Sequence, residues 1–188
     1  MKQFNDASII EKFVSRERVF DGLILHIDHV TNELPNGKLA KREVARHIGA
    51  SAVIPVDDEG YTYLVRQYRA PIESVLMEIP AGKLDASDED RLLAAKRELK
   101  EETGLEAKEW RHLTDTVTTP GFSSECISLY LARGLSFGEQ NPDDDEFLNV
   151  VRLPFDEVWQ MVMRGEIRDA KTQIAVALAK TAMEDGRK

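Results

Sequence analysis

Apolar and polar residues alternate in short runs along the first quarter of the chain. The runs cover residues 15–20, 22–30 and 39–44, and an Asn36-Gly37 dipeptide, a strong hairpin signal, lies between the last two. This period of two predicts a small three-stranded antiparallel sheet. Such a sheet has one face to bury and too little chain to bury it alone. We therefore expect residues 1–47 to form a dimerising N-terminal domain, with packing onto the rest of its own chain as the alternative.

After residue 48 the pattern changes repeatedly between strand-like and helix-like segments. Apolar or alternating runs predict strands at residues 49–56, 61–68, 75–79, 110–117, 126–131 and 147–151. Helical spacing predicts helices that run from about residue 88 to residue 103, from 155 to 164 and from 172 to 184. Gly104 is a plausible stop for the first helix, and Ile174, Leu178 and Thr181 share one face of the last. Residues 48–188 are therefore expected to form a second domain of the α/β class.

The first of these helices carries an unusual group of carboxylates. Glu98, Glu101 and Glu102 fall on one helical face, because residues three and four apart are neighbours on a helix. Like charges at this spacing repel one another, so the group is either a solvated acidic surface or a cation site. Hard divalent ions take oxygen ligands, and magnesium typically uses a few carboxylates together with substrate phosphates.

Composition limits the classes of function that are open to the chain. Hydrophobic residues make up 42% and charged residues 31% of the sequence, as in an ordinary globular protein. The net charge of -9 argues against a nucleic-acid partner, since no basic stripe is available to neutralise phosphates. No apolar run is long enough to span a membrane, and the first residues lack a signal-peptide core, so we expect no membrane partner and a cytoplasmic location. A single cysteine, Cys126, excludes an intrachain disulfide.

The carboxylate helix is part of a longer pattern. It comprises Gly82, Glu89 and the run Arg97-Glu98-Leu99-Lys100-Glu101-Glu102-Thr103-Gly104-Leu105. This pattern resembles the Nudix box, the signature of hydrolases that cleave nucleoside diphosphates linked to another group. From Glu89 onward every specified position matches. Six residues separate Gly82 from Glu89 where the family has five, and we interpret the difference as one extra residue in the loop before the helix.

Three further segments resemble the ADP-ribose pyrophosphatase branch of that family. They are VRQYR at 65–69, EIPAGK at 78–83 and TPGFSSE at 119–125, and the later segment GEIRDAKT at 165–172 is also typical of the branch. The resemblance implies a Nudix-type α/β/α sandwich with a mixed sheet, preceded by the small N-terminal antiparallel sheet. It also implies that the protein is an enzyme and a homodimer.

The resemblance assigns metal ligands and catalytic groups. The carbonyl of Ala81 and the carboxylates of Glu98, Glu101 and Glu102 are expected to hold Mg²⁺, with Mn²⁺ as a second possibility. Arg97 is expected to pair with Glu89 or Glu101 and hold the carboxylates in place. A glutamate from the acidic loop 138–146 is expected to act as general base. The first choice is Glu146, with Asp144 and Asp145 as alternatives.

Other residues are candidates for substrate binding. Arg66 and Arg69 can each bind a phosphate with a guanidinium fork, although surface salt bridges are an equal alternative. Tyr68 lies between them, and Pro120, Gly121 and Phe122 belong to the loop that carries the branch resemblance. The expected reaction is magnesium-dependent hydrolysis of a nucleoside diphosphate sugar, with ADP-ribose giving AMP and ribose 5-phosphate. The alternatives are a GDP- or UDP-sugar, a dinucleotide or a coenzyme A derivative as substrate, or a non-catalytic module that binds ADP-ribose.

Overall fold

The computed structural model describes residues 6–138 and 147–185, and these residues form two compact units. The first contains the chain up to Ile48 together with Thr119–Glu125, and the second contains Gly49–Thr118 and the chain from Cys126 onward. The loop at residues 119–125 thus groups with the N-terminal residues, whereas the sequence placed it within the second domain. Dimerisation of the N-terminal domain stays a prediction.

The first unit is a three-stranded antiparallel sheet, as its alternating sequence predicted. Its strands are β1 (Lys12–Asp21), β2 (His26–Glu33) and β3 (Leu39–Arg46), in the spatial order β1-β2-β3. One carboxylate, Asp28, is buried in this sheet. It accepts hydrogen bonds from Nε of Arg18 at 2.6 Å and Nε of Arg46 at 2.8 Å, so its charge is balanced by neighbours on the two outer strands.

Backbone pairing explains why the 119–125 loop belongs to the first unit. The Ala45 amide donates to the carbonyl of Phe122 at 2.7 Å, and the Ser124 amide donates to the carbonyl of Ala45 at 3.0 Å. The Ser124 hydroxyl also accepts the His47 amide at 2.9 Å. The loop therefore extends the edge of β3 for a short distance.

The second unit contains seven strands and three α-helices among its described residues. The strands are β4 (Ala50–Pro55), β5 (Tyr61–Arg69), β6 (Ser74–Glu78), β7 (Ala81–Lys83), β8 (Leu105–Val117), β9 (Cys126–Phe137) and β10 (Leu148–Pro154). The helices are α1 (Arg91–Thr103), α2 (Phe155–Met163) and α3 (Ala170–Asp185). A four-stranded sheet has the order β7-β4-β9-β8, and a three-stranded antiparallel sheet has the order β10-β5-β6. The larger sheet is mixed, because β4 and β9 are parallel while the outer pairs are antiparallel.

Helices cover both faces of β4, and this arrangement confirms the expected α/β/α sandwich. All six residues of β4 are buried, as in a strand with no solvent-facing side. Val53 packs in a core with Ala95 and Leu99 of α1. On the opposite face, Ala52 and Ile54 pack in a core that includes buried residues of α2 and α3.

The structure corrects the predicted bounds of one helix and of two strands. Helix α1 begins at Arg91 instead of near residue 88, because the Asp90 side chain accepts hydrogen bonds from the amides of Leu92 and Leu93. Strands β8 and β9 are longer than predicted, since they pair with each other from Leu105 and Phe137 inward. Cross-strand hydrogen bonds of this kind leave no trace in local hydropathy.

The buried face of α3 is also different from the predicted one. The buried residues are Thr172, Ala175, Val176, Ala179 and Ala182, while Ile174 and Leu178 are only partly buried and Thr181 is exposed. Small residues on the buried face let the helix lie close to the sheet. The prediction relied on the larger apolar side chains of Ile174 and Leu178, whereas the residues that are buried are mostly smaller ones such as Ala175 and Ala179.

Among the helices of the described chain, none combines the length and the apolar character that a membrane crossing requires. The cytoplasmic location stays a prediction.

The N-cap of α1 gives a test of this local structure. Asp90→Ala removes the carboxylate that accepts the amides of Leu92 and Leu93, both at 2.9 Å. We expect the free energy of unfolding to fall by about 1 kcal/mol in urea denaturation. The matched control is Asp88→Ala, because Asp88 is exposed and lies outside the cap. Equal effects of the two substitutions would contradict the assigned N-cap.

Candidate active site

Helix α1 carries two carboxylates that are buried among its apolar residues. Glu98 is 7% exposed and Glu102 is 2% exposed, while the side chain of Glu101 is 34% exposed. The helix ends at Gly104, whose φ of 71° lies in the left-handed region and whose amide donates to the carbonyl of Lys100 at 2.8 Å. The N-cap and this stop bound the helix, and Glu98 and Glu102 lie on its side that faces β7.

The turn from β6 into β7 lies directly against these glutamates. The Ala81 amide donates to Oε2 of Glu102 at 3.2 Å. A Cβ atom on Gly82 would lie 1.9 Å from Oε1 of Glu98, so any side chain at this position would collide with the carboxylate. The absence of a side chain at residue 82 is therefore what allows Glu98 to lie against the backbone.

Arg97 contacts three carboxylates of the Nudix-box pattern. Its Nη1 donates to Oε1 of Glu98 at 2.7 Å and to Oε2 of Glu101 at 3.2 Å, and its Nε lies 3.6 Å from Oε1 of Glu89. Burial by itself would lower the pKa of the Arg97 guanidinium, but the nearby carboxylates of Glu98 and Asp85 raise it overall. The arginine thus stays charged and lies where the sequence expected a positioning group.

The donor set fits a hard divalent cation. Three carboxylates and the nearby backbone of residues 81–82 supply oxygen atoms, the ligands that Mg²⁺ and Mn²⁺ prefer. In residues 6–138 and 147–185, however, no group of three or more His, Cys, Asp or Glu side chains is gathered closely enough to hold a metal ion. Glu98 and Glu101 point to Arg97, and Glu102 points to the Ala81 amide. Shared coordination would require these carboxylates to move closer to one another.

A buried ion cluster lies at the end of β6, three residues before Ala81. Glu78 is 1% exposed and accepts a guanidinium fork from Arg69, with Nε to Oε1 and Nη2 to Oε2 both at 2.7 Å. Lys171, at the start of α3, also donates to Glu78. Burial raises the pKa of the Glu78 carboxyl, but Arg69 and Lys171 outweigh it and the pKa lies below its ordinary value. Hydrogen bonds to Glu78 raise the pKa of Arg69 in turn.

The structure places the other substrate candidates in different parts of the chain. Arg66 and Tyr68 are exposed on β5, while Arg69 is engaged by Glu78. Pro120, Gly121 and Phe122 are exposed in the first unit. The predicted general bases, Glu146, Asp144 and Asp145, lie outside the described residues. All of these roles stay predictions.

Sequence reasoning missed the part that Lys171 and Asp169 take in this region. Both lie in the GEIRDAKT segment, which was identified only as typical of the branch. Lysine and aspartate two residues apart are common on protein surfaces, and no local signal shows that Lys171 reaches a buried glutamate 93 residues away in sequence. Only the packing of α3 beside β6 brings Lys171 within hydrogen-bond distance of Glu78.

Comparison with known proteins identifies the family. A model of the NUDIX domain matches residues 45–174. The chain belongs to the Nudix family. It is 44% identical over 168 residues to the methanol dehydrogenase activator of Bacillus methanolicus, with 88% of this chain and 90% of the relative covered. It is 41% identical over 171 residues to the ADP-ribose pyrophosphatase of Bacillus subtilis (strain 168), with 90% and 92% covered. The resemblance to this branch of the Nudix family is thereby confirmed.

A solved structure of an ADP compounds hydrolase has a similar fold. It superposes with a TM-score of 0.81 and covers 94% of this chain and 95% of its own. The two sequences are 24% identical, and the likeness supports the Nudix fold that was expected.

The charge of Glu78 gives a prediction for acid stability. Because its pKa is lowered in the folded protein, its contribution to stability is complete above the ordinary value of 4.5 and is lost as the pH falls through the folded pKa. Glu78→Gln should therefore lower the free energy of unfolding near neutral pH, and this deficit should shrink below pH 4.5. Urea unfolding at several pH values measures it. Glu184→Gln, which changes an exposed carboxylate on α3, is the control. A deficit independent of pH would contradict the lowered pKa.

Proposed function

We propose that this Nudix hydrolase cleaves the diphosphate of a nucleoside diphosphate sugar with the help of Mg²⁺. ADP-ribose is the proposed substrate, and AMP and ribose 5-phosphate are the proposed products. The observation that carries the proposal is the position of Glu98 and Glu102, two buried carboxylates that lie against the backbone of residues 81–82. The similarity to the Bacillus subtilis ADP-ribose pyrophosphatase supports the choice of substrate.

The proposed metal ligands are the carboxylates of Glu98, Glu101 and Glu102 and the carbonyl of Ala81. A divalent ion held by these groups would lower the pKa of the attacking water and neutralise charge on the diphosphate. Arg97 holds Glu98 and Glu101 in place through its two hydrogen bonds. Such an ion would also supply the positive charge that a protein with a net charge of -9 needs in order to bind a diphosphate.

The remaining proposed catalytic and binding roles are those that were predicted from the sequence. A carboxylate of the acidic loop, Glu146 in our proposal, takes the proton of the attacking water. Arg66 is exposed on β5, and its guanidinium is the proposed binding group for a substrate phosphate. Arg69 shares its guanidinium with Glu78, so a role in substrate binding would use donor groups that Glu78 does not occupy.

A single substitution tests the metal assignment. Glu102→Gln keeps the size of the side chain and removes the negative charge. We expect kcat/KM for ADP-ribose to fall by about 100-fold or more, since loss of the outer partners of metal ligands alone costs about 10–100-fold. The control is Glu106→Gln, which changes an exposed carboxylate paired with Lys100 just beyond the helix. Activity of Glu102→Gln within a few-fold of wild type would exclude Glu102 as a ligand.

The same assay separates the proposed substrate from its alternatives. Wild type is offered ADP-ribose, GDP- and UDP-sugars, a dinucleotide and a coenzyme A derivative, and release of phosphomonoester is measured. The highest kcat/KM is expected for ADP-ribose. Saturable binding of ADP-ribose without turnover in either Mg²⁺ or Mn²⁺ would instead identify a binding module.

We also propose that the protein is a homodimer that pairs through the N-terminal sheet. All ten residues of β1 are exposed, and Phe13, Val14 and Phe20 are among them. In the described chain, β1 hydrogen-bonds to β2 alone, so its outer edge can accept another strand. A second copy of the chain would cover both the apolar side chains and the open edge.

Sedimentation tests the dimer. Wild type should sediment as twice 21.2 kDa at micromolar concentration, and Phe13→Lys should shift the equilibrium to the monomer. The matched control is Phe137→Lys, because Phe137 is similarly exposed but lies in the second unit. A monomeric wild type would exclude the proposed pairing.

A further inference from the structure

One ion cluster in the second unit includes residues that have no assigned role. It contains Glu78 and Arg69, described above, together with Lys171 and Asp169 at the beginning of α3. The side chains of Lys171 and Asp169 are 10% and 15% exposed, and Lys171 Nζ donates to Asp169 Oδ1 at 3.1 Å as well as to Glu78. The four side chains carry two positive and two negative charges, so the cluster is neutral when it is complete.

A second contact joins the same two elements. The hydroxyl of Thr172 accepts the Ile79 amide at 2.9 Å and donates to Oδ2 of Asp169 at 2.6 Å. Thr172 is fully buried, and Asp169 Oδ2 also accepts the Thr172 amide at 2.9 Å. Two successive residues of α3 therefore hold the two successive residues Glu78 and Ile79. We refer to the contacts of Lys171 and Thr172 with Glu78 and Ile79 as the β6 latch.

The β6 latch acts on the segment that meets the carboxylate helix. Pro80 follows Ile79 directly, and Ala81 and Gly82 come next. The Ala81 amide donates to Glu102, and Gly82 lies against the Glu98 carboxylate. A shift of Ile79 would be passed along these few residues to both contacts, because the intervening backbone has little freedom at proline. The latch therefore acts together with the pairing of β7 to β4, which holds Ala81 opposite Ala52 and Gly82 opposite Ser51, in positioning this backbone against Glu98 and Glu102.

We propose that Lys171 is a positioning residue of the metal site. It fixes Glu78, and with it the turn that orients Glu98, Glu102 and the backbone of residues 81–82 for a divalent cation. The proposal rests on the function proposed above for these carboxylates. Without Lys171, Glu78 and Asp169 would be two nearby carboxylates opposed by Arg69 alone, and their repulsion would move the end of β6.

The sign of the effect on cation binding separates positioning from simple electrostatics. Lys171 is positive, so removal of its charge without any structural change would strengthen the binding of a nearby cation. Loss of a positioning contact weakens it. Lys171→Met should therefore bind Mn²⁺ about 10-fold more weakly than wild type, at the lower end of the range found when direct partners of metal ligands are removed, because Lys171 acts through Glu78.

Electron paramagnetic resonance of free Mn²⁺, without nucleotide, measures this affinity directly. The matched control is Lys180→Met on the same helix, since Lys180 pairs with the exposed Asp156 at 2.8 Å and should keep the affinity of wild type. Lys171→Arg, which keeps the charge, should bind Mn²⁺ within a few-fold of wild type. In Glu78→Gln, the further change Lys171→Met should have little additional effect, because the partner of Lys171 is already altered.

Mn²⁺ affinity in folded Lys171→Met that equals or exceeds that of wild type would overturn the proposal, even if its melting temperature were lower. If Lys171→Met does not fold, Thr172→Val provides the test, because it removes the acceptor of the Ile79 amide without changing any charge. Weaker Mn²⁺ binding by that variant supports the latch, and unchanged binding overturns it.

Failure of wild type to hydrolyse ADP-ribose would reject the proposed substrate and leave the Mn²⁺ result intact. Failure of wild type to bind Mn²⁺ would contradict both proposals.

Discussion

The burial of Glu98 and Glu102 is the constraint on which the second unit depends. A buried carboxylate is costly unless charges or hydrogen-bond donors compensate it. Here the compensation comes from Arg97 and from the Ala81 amide, and the missing side chain of Gly82 leaves room for the Glu98 carboxylate. Helix α1 must therefore pack against the β6–β7 turn in one register, and both its N-cap at Asp90 and its stop at Gly104 agree with that register.

A second buried carboxylate, Glu78 at the end of β6, is compensated in the same way. Glu78 is almost fully buried, and Arg69 and Lys171 neutralise it from two different elements. The two clusters are connected through the short segment from Ile79 to Gly82. A strand end, a turn and a helix are thus tied together by charges that would each be unfavourable alone. Such networks specify a unique arrangement, because one missing partner leaves the others uncompensated.

How far the site was predictable depends on the range of each interaction. The metal-ligand candidates could be predicted because i, i+3 and i+4 spacing is local. The partners of Arg97 could be predicted as well, because they lie within one helical turn or in the adjoining loop. The β6 latch was not accessible, since Lys171 and Glu78 are 93 residues apart in sequence. The buried face of α3 was predicted from its larger residues, yet Ala175 and Ala179 fill it. Close packing against a sheet favours small side chains, and a sequence does not show which neighbour a helix will meet.

The sequence by itself determined the chemistry of this protein: the carboxylates, their helical register, the glycine beside them and membership of the Nudix family. These are properties of residue type and short spacing, which survive any arrangement of the remaining chain. Tertiary structure alone decided that the 119–125 loop pairs with Ala45, that Arg69 is engaged by Glu78, and that Lys171 holds the end of β6. The first and the last of these contacts join elements far apart in sequence, and only the packing of the sheets and helices brings them within hydrogen-bond distance. Arg69 and Glu78 are close in sequence, but only the pairing of β5 with β6 and the burial of Glu78 make them partners.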